Sequence, residues 1–294
     1  GYEIDALTEE DTAALRDLYG LGRPLLVRYV LWIKMLVGGK FGVSPVGYGT
    51  SVLFGLPIRD VIGDKLMNTV ALMLAATALT WVIIIPIGIY SAVRQYSIGD
   101  YSATFLGFLG LAVPDFLLAL VLMFAGFKYL GADIGGLFSR EYVDAAWSVG
   151  RVWDMIKHLW IPAIVLGTAG TAAGIRILRA NLLDELRKPY VRTARTKGMS
   201  EARLILKYPL RVALNPAIST VGYVLPALIG GSIIVSVVLD LPTLGPLLLQ
   251  ALLAQDTSLA ALIMLLIGAL TVIGTLMSDL LLVWIDPRIR FESR

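Results

Sequence analysis

Long apolar runs, separated by short polar stretches, fill most of the chain after residue 65. A hydrocarbon core about 30 Å thick is crossed by roughly 20 helical residues. Five runs reach that length, and they predict membrane spans at 68–93, 102–130, 158–178, 213–239 and 258–285. The pattern therefore predicts an all-α fold, a polytopic membrane helical bundle.

The first 65 residues are more polar and do not follow this pattern. An acidic start precedes a predicted short helix over 8–19. The apolar run 24–36 carries Arg28 and Lys34. It is too short and too charged to span, so we expect it to lie flat or to pack on the domain. Residues 58–65 predict a brief amphipathic helix that leads into the first span.

One polar stretch, residues 184–212, lies between the third and fourth apolar runs and is strongly basic. Its acidic residues are Asp184, Glu185 and Glu201. Short loops rich in lysine and arginine stay on the cytoplasmic side of a membrane. We therefore predict that this stretch is cytoplasmic, which places residues 1–65 outside. Its basic residues are Arg187, Lys188, Arg192, Arg195, Lys197, Arg203, Lys207 and Arg211.

The basic stretch also has a predicted local structure. Pro189 suits the first position of a helix, where its missing N–H costs nothing. The helix that follows is two turns long. It places Tyr190, Thr193, Ala194 and Lys197 along one side.

A turn and a second helix are predicted next. Gly198 can end the first helix with a positive φ, because glycine has no Cβ to clash. Ser200 is predicted to cap a helix that starts at Glu201, and Pro209 is predicted to kink that helix. Two such short helices are not stable alone, so we expect them to dock on another surface. A DNA-binding helix-turn-helix is the alternative, and the closely flanking spans disfavour it.

Composition supports a membrane protein and disfavours several kinds of chemistry. The chain is 57% hydrophobic with a mean hydropathy of +0.78, above the roughly 45–50% apolar content of soluble domains. It has no cysteine and one histidine, so no catalytic or metal-binding residues are predicted. It has no GxxxxGK[ST] loop, so it does not bind ATP by that device. A net charge of +3, clustered in loops, makes nucleic acid a poor partner.

An ionisable residue inside a predicted span is a functional candidate. Asp115 lies beside Pro114 in the second apolar run. Its carboxylate is a candidate for lining a path through the membrane, where it would meet an ammonium or hydroxyl group. The alternative is a carboxylate that hydrogen-bonds to backbone groups freed by the proline. The residues alone leave both interpretations open.

The basic stretch resembles the cytoplasmic coupling loop of ABC importer permeases, in the form found in dipeptide and oligopeptide permeases. Residues 68–69, 114–116, 241–245 and 286–290 are similar to landmarks of the same family. Thr193 stands where many members have the first alanine of the loop. The matching loop residues are Tyr190, Arg192, Thr193, Ala194, Arg195, Lys197, Gly198, Arg211, Ala213, Leu214 and Pro216.

This resemblance implies a type I ABC importer permease fold in the inner or plasma membrane. The family usually has one further span, which would precede residue 1. Residues 1–65 would then be an extracytoplasmic segment, 66–290 the transmembrane permease domain and 291–294 a cytoplasmic tail. The residues implied in coupling to an ATPase are Tyr190, Arg192, Thr193, Ala194, Arg195, Lys197, Gly198, Ser200 and Glu201.

The implied function is ATP-driven import of di- or oligopeptides, with this chain forming half of the translocation path. The implied partners are a second permease subunit in a heterodimer, two cytoplasmic ATPases and an extracytoplasmic binding protein. The chain would be neither an enzyme nor a cofactor protein, because its ATPase partners bind the ATP. Oligosaccharides and nickel are the alternative substrates. A secondary transporter driven by an ion gradient and a membrane scaffold are the alternative classes.

Overall fold

A computed structural model of the chain describes residues 22–37, 58–131, 135–143, 145–219 and 233–285. Within these ranges the chain forms helices and connecting turns, without a β-strand. The predicted all-α class is confirmed. In chain order the helices are α1 Leu25–Val37, α2 Ile58–Val93, α3 Ile98–Ala112, α4 Asp115–Ala125, α5 Val149–His158, α6 Trp160–Leu186, α7 Pro189–Thr196, α8 Glu201–Lys207, α9 Pro209–Ala213, α10 Asn215–Ser219, α11 Leu244–Leu253 and α12 Thr257–Ile285.

The chain divides into two compact units. The first comprises Gly1–Met67 and Leu247–Leu265, and the second comprises Asn68–Pro246 and Leu266–Arg294. The second unit therefore contains the basic stretch and most of the apolar helices.

The first unit is described over α1, the first turns of α2 and residues 247–265. Leu259 and Ile263 are buried in it. The Asp256 carboxylate accepts a hydrogen bond from the N–H of Leu259 (3.0 Å) and so caps the start of α12. Most of the predicted extracytoplasmic segment 1–65, including its first predicted helix, lies outside the described residues.

Two helices in the described residues are long and apolar enough to cross a membrane, α2 over Val61–Val93 and α12 over Leu259–Ile285. Two bent helix pairs raise the number to four if each pair forms one span. The first and fifth predicted spans are therefore continuous helices. The predicted short helix at 58–65 is not separate, since α2 runs unbroken through it. The fourth predicted span, 213–239, is described only at its two ends.

The second predicted span, 102–130, forms two helices with a sharp bend between them. The axes of α3 and α4 differ by 102°. Pro114 has no N–H to continue a helix, and its ring disfavours helical geometry in the residue before it. Val113 accordingly has an extended conformation, with φ −86° and ψ 123°. Beyond the bend, a π-helical turn, Gly126–Leu130, extends α4.

Helix α6 is the centre of the second unit, because α3, α4 and α9 all pack on it. It also runs past the end of the third predicted span and bends by 54°. Glycines let α2 approach it closely. A Cβ added at Gly167 would lie 3.1 Å from Thr80 Oγ1, and one at Gly174 would lie 2.2 Å from Ile84 Cδ1. The Thr80 hydroxyl also donates a hydrogen bond to the Gly167 carbonyl (3.1 Å).

Two apolar cores fix the two ends of α6. The first, near its start, includes Ile161 and Val165 together with Leu239. The second, near its end, includes Leu178 and Leu182 and extends into the basic stretch. Each end of this long helix therefore has its own packed support.

Candidate coupling surface

The basic stretch folds as two short helices joined by a tight turn. Helix α7 begins at Pro189, as predicted, and ends at Thr196. Gly198 has φ +76°, the left-handed conformation expected of a glycine that ends a helix. Its N–H donates a hydrogen bond to the Arg195 carbonyl (2.9 Å). We call residues 188–208, which contain α7, the turn and α8, the elbow.

The predicted cap and kink of the second helix are only partly right. Helix α8 begins at Glu201, but the Ser200 hydroxyl accepts no capping hydrogen bond. The Ser200 carbonyl instead accepts the N–H of Leu204 (2.9 Å), the ordinary helical bond. At the other end the helix does not kink. It stops at Lys207, and Tyr208, with a distorted helical conformation (φ −119°, ψ −77°), separates it from α9, which begins at Pro209.

The elbow rests on an apolar base. Val191 and Leu204 are fully buried, and Ala194 and Ile205 are nearly so. They belong to the same core as Leu178 of α6. Burying a valine or leucine side chain contributes about 1.5–3 kcal/mol. The core of the chain itself therefore provides a surface on which these short helices dock.

The opposite face of the elbow is polar and exposed. Arg195 donates from Nε to Glu201 Oε1 (2.5 Å) and from Nη2 to Glu201 Oε2 (3.1 Å). These two parallel hydrogen bonds, which we call the fork, join α7 to α8 across the Gly198 turn. Because Arg195 donates these hydrogen bonds, the pKa of Glu201 lies below its usual value. Both side chains are about half exposed, so the pair fixes geometry more than it stabilises the fold.

The elbow is tied directly to the last turn of α6. The Tyr190 hydroxyl donates a hydrogen bond to Glu185 Oε2 (2.5 Å). Lys188 Nζ lies 3.7 Å from Glu185 Oε1. One carboxylate at the end of α6 therefore contacts the residue before α7 and the second residue of α7.

A cavity of about 620 Å³ lies against the elbow. Tyr190, Thr193, Ala194 and Lys197 line it together, which confirms that they share one side of α7. Basic and aromatic side chains from the following segment complete the wall, so the cavity can receive a polar or acidic surface. The other lining residues are Met199, Lys207, Tyr208, Arg211, Val212 and Ile285.

Comparison with known proteins identifies the family. Residues 84–291 match the family described as binding-protein-dependent transport system inner membrane component. This chain belongs to that family. The oligopeptide transport system permease protein AppB of Bacillus subtilis is 37% identical, over 97% of this chain and 87% of its own length. The oligopeptide transport system permease protein OppB of Mycobacterium tuberculosis is 30% identical, over 92% and 82%.

A solved structure shows the same fold. The methionine ABC transporter MetNI, in an inward-facing conformation, matches with a TM-score of 0.59 at 15% identity. The match covers 78% of this chain and 98% of that one. By its family, the chain is a permease subunit of a binding-protein-dependent transport system and a multi-pass component of the inner membrane. Its family implies ATPase and substrate-binding partners.

Sequence reasoning missed an ion pair beside the turn that joins α2 to α3. Arg179 of α6 donates to both carboxylate oxygens of Asp100, at 3.1 and 2.9 Å. Asp100 is buried, and it also accepts the N–H of Tyr96 (2.9 Å), which has φ 62°. An acidic residue after one predicted span and an arginine at the end of another were the available signals. Their pairing depends on helix packing, which the sequence does not display.

Asp115 is the first residue of α4 and lies just past the bend, half-buried beside the exposed Pro114. Within the described residues its carboxylate accepts no hydrogen bond, including none from backbone groups at the bend. A role for both residues in the translocation path stays a prediction. The described residues also contain no group of three or more histidine and carboxylate side chains that could hold a metal ion.

Two family landmarks that are far apart in the sequence meet in the permease. The Asn68 side chain donates to the Pro242 carbonyl (3.0 Å). The N–H of Leu244 donates to Thr69 Oγ1 (2.9 Å). Asn68 and Thr69 are both buried. The start of the first span therefore holds the loop that precedes α11, which explains why polar residues open such an apolar run.

Proposed function

We propose that this permease imports di- or oligopeptides and that the elbow transmits force from cytoplasmic ATPases. The shape of the elbow carries the proposal. Its apolar base holds it in place without a partner, while its charged face stays free to meet one. A solvated loop would need no such base, because its backbone and side chains would be satisfied by water.

Force on the elbow would reach the spans through the contacts described above. Val191 and Leu204 share a core with Leu178, and Glu185 holds Tyr190. Close-packed interiors transmit displacement rather than absorb it. A push on α7 and α8 would therefore move the end of α6, and with it the helices that pack on α6.

The proposed assembly contains this chain, a second and similar permease subunit, two ATPases and an extracytoplasmic binding protein. The two permease subunits form a heterodimer with the path between them. ATP binding closes the ATPases, brings the two elbows together and opens the path outward, and hydrolysis resets it by alternating access. This chain contributes no catalytic residue, because ATP is bound by its partners.

Peptides are the favoured substrate because AppB and OppB, which match nearly the whole chain, are described as oligopeptide permeases. Asp115 and Pro114 would line the path, where a carboxylate near the bend can meet a peptide ammonium group. Oligosaccharides and nickel remain the alternative cargoes for the same machinery.

Uptake into proteoliposomes tests the substrate. The complete assembly, with its own binding protein outside and ATP inside, is given labelled tripeptides, maltotriose or chelated nickel. Peptide uptake should require ATP and the binding protein, and should stop in an assembly with inactive ATPases. Uptake of sugar or nickel without peptide would overturn the peptide assignment and leave the importer assignment intact.

Thiol labelling tests the side of the membrane on which the elbow lies. The chain has no cysteine, so a single substitution gives it one thiol. Thr196→Cys places the thiol in the elbow, and Glu141→Cys places it in the segment before α5, on the side of α6 away from the elbow. A membrane-impermeant maleimide added to intact cells should label position 141 and spare position 196. Both should react after the membrane is opened. Labelling of position 196 in intact cells would contradict coupling to cytoplasmic ATPases.

A further inference from the structure

Helix α5 buries two charged residues and exposes most of its apolar residues. Arg151 and Asp154 are only 2% and 8% exposed, whereas Val149 is 88% and Trp153 is 60% exposed. At 3.6 residues per turn, the exposed apolar positions fall within an arc of about 100°, opposite the two buried charges. They form a stripe, which we call the α5 stripe: Val149, Val152, Trp153, Ile156 and Trp160, the first residue of α6.

The buried Arg151 prevents α5 from rolling to hide this stripe. Its guanidinium carbon lies 4.7 Å from the ring centre of Phe138 and 4.5 Å from that of Trp147. It also donates hydrogen bonds to the carbonyls of Ala145 and Val143. Turning α5 over would break the contacts of this guanidinium with two rings and two carbonyls, which would cost free energy. The outward direction of the stripe is therefore fixed by its opposite face.

Asp154 also fixes the orientation of the buried face of α5. Its carboxylate accepts hydrogen bonds from the Ser139 N–H (2.7 Å) and the Ser139 hydroxyl (2.7 Å). Burial raises the pKa of Asp154, but these bonds and the nearby His158 and Lys157 outweigh it, so the pKa lies below its usual value. The charged form is the one that holds α5 to residues 135–139.

The stripe is continuous with the surface of a membrane span. Helix α5 passes into α6 through Leu159, whose N–H bonds the Met155 carbonyl and whose carbonyl accepts the N–H of Ala163, both at 2.9 Å. Trp160 therefore belongs to the α5 stripe and to the beginning of α6. An apolar stripe that starts at the end of a span meets the same lipid that surrounds the span.

Helix α4 packs on the same core as α5 and the start of α6, since Ala119 shares that core with Met155 and Ile161. Beyond α4, Phe127 and Tyr129 are exposed. Tryptophan and tyrosine concentrate where a membrane meets water, because their rings are apolar and their N–H or O–H groups are polar. The exposed Trp153 and Trp160 of the α5 stripe are therefore suited to such a boundary.

We infer that α5 lies in the membrane–water interface at the end of α6 opposite the elbow, with the α5 stripe inserted among lipid headgroups and upper acyl chains. Such helices bury their apolar face about 5–10 Å into that boundary. Lys157, at the edge of the stripe, is exposed and keeps its ammonium in water. In this position α5 sets the depth of α6 in the membrane. The inference does not depend on which substrate the permease transports.

Spin labels on a cysteine-free chain test the inference directly. Val149→Cys, Trp153→Cys and Ile156→Cys are each labelled with a nitroxide in the complete transporter, reconstituted in phosphatidylcholine and phosphatidylglycerol nanodiscs. Collisions with oxygen, which concentrates in lipid, are compared with collisions with a water-soluble nickel chelate. Oxygen should dominate at all three positions, with a depth shallower than that of a label at Val272→Cys, an exposed apolar position within α12.

Two control outcomes can overturn the inference. Nickel collisions equal to those at the exposed Glu141→Cys would place the stripe in open water. Low collision rates with both reagents would mean that a protein, such as the second permease subunit or the binding protein, covers it. Val149 is 88% exposed, so Val149→Cys should fold normally and keeps the test valid if Trp153→Cys does not. Retained transport activity confirms that each labelled assembly is intact.

Discussion

The two ends of α6 are built in opposite ways. At the elbow, Val191 and Leu204 are buried while Arg195 and Glu201 are exposed. At the α5 end, Arg151 is buried and apolar side chains are exposed. The exposed side chains are polar at the elbow, which is proposed to meet water and protein, and apolar at α5, which is proposed to meet lipid. At each end the buried side chains fix which face of the helix is exposed. The same helix therefore carries one end built for water and protein and another built for lipid.

The largest expected effect is at the turn of the elbow. Gly198→Asp should lower ATP-dependent uptake by at least about tenfold, equivalent to 1.4 kcal/mol, because a carboxylate would enter the docking surface without a partner. A Cβ at this position meets no atom within 4 Å, so membrane insertion should be normal. Uptake and ATPase stimulation are measured in proteoliposomes.

Gly198→Asn is the matched control for that variant. Asparagine and aspartate both tolerate a positive φ and have nearly the same shape, so they differ mainly in charge. Gly198→Asn should keep most of the uptake. Equal losses in the two variants would mean that the backbone of the turn, rather than a charge at the interface, limits coupling.

The next largest effect is on stability at the α5 end. Arg151→Leu should lower the free energy of unfolding by about 1–3 kcal/mol, because the carbonyls of Val143 and Ala145 lose their charged donor. Thermal unfolding in detergent, followed by loss of the folded peak in size-exclusion chromatography, measures this. Glu141→Gln changes an exposed charge in the same segment and should leave the midpoint unchanged. An unaffected Arg151→Leu variant would show that the buried charge does not hold α5.

A pH-dependent effect should distinguish the two ends further. The pKa of Asp154 is below its usual value in the folded chain, so its contribution to stability is complete above the unfolded pKa of about 3.9. That contribution is lost as the pH falls through the folded pKa. The wild-type chain should therefore lose stability on acidification below pH 4 more steeply than Asp154→Asn. Parallel pH profiles of the two unfolding midpoints would refute this role.

The smallest effect is expected for the exposed ion pair of the elbow. Glu201→Gln should change the free energy of unfolding by less than about 1 kcal/mol, since half-exposed ion pairs contribute little. If the fork between Arg195 and Glu201 positions the elbow for its partner, uptake should nevertheless fall. Arg195→Lys keeps the charge but loses the fork, so it should reduce uptake as well. Normal uptake in both variants would make the pair a simple surface contact.

The sequence predicted features that depend on local chemistry. Pro189 and Gly198 mark the start and end of α7 because a missing N–H and a missing Cβ act within one turn. The ion pair between Arg179 and Asp100 and the contacts of Arg151 were not predictable, since they join residues from different segments. Ser200 was misread because a serine at the right position need not orient its hydroxyl toward the helix. The bend at Pro114 was visible as a proline, but its 102° size depends on how α3 and α4 pack.

The bend at Pro114 also limits what can lie against the end of α3. Val113 bonds to the Leu109 carbonyl (3.1 Å), and Pro114 offers no N–H to the next carbonyl, that of Gly110. Peptide carbonyls without donors are not tolerated against hydrocarbon, so this part of α3 must face hydration or another polypeptide. The break therefore places a surface that cannot face lipid directly before Asp115, the first residue of α4.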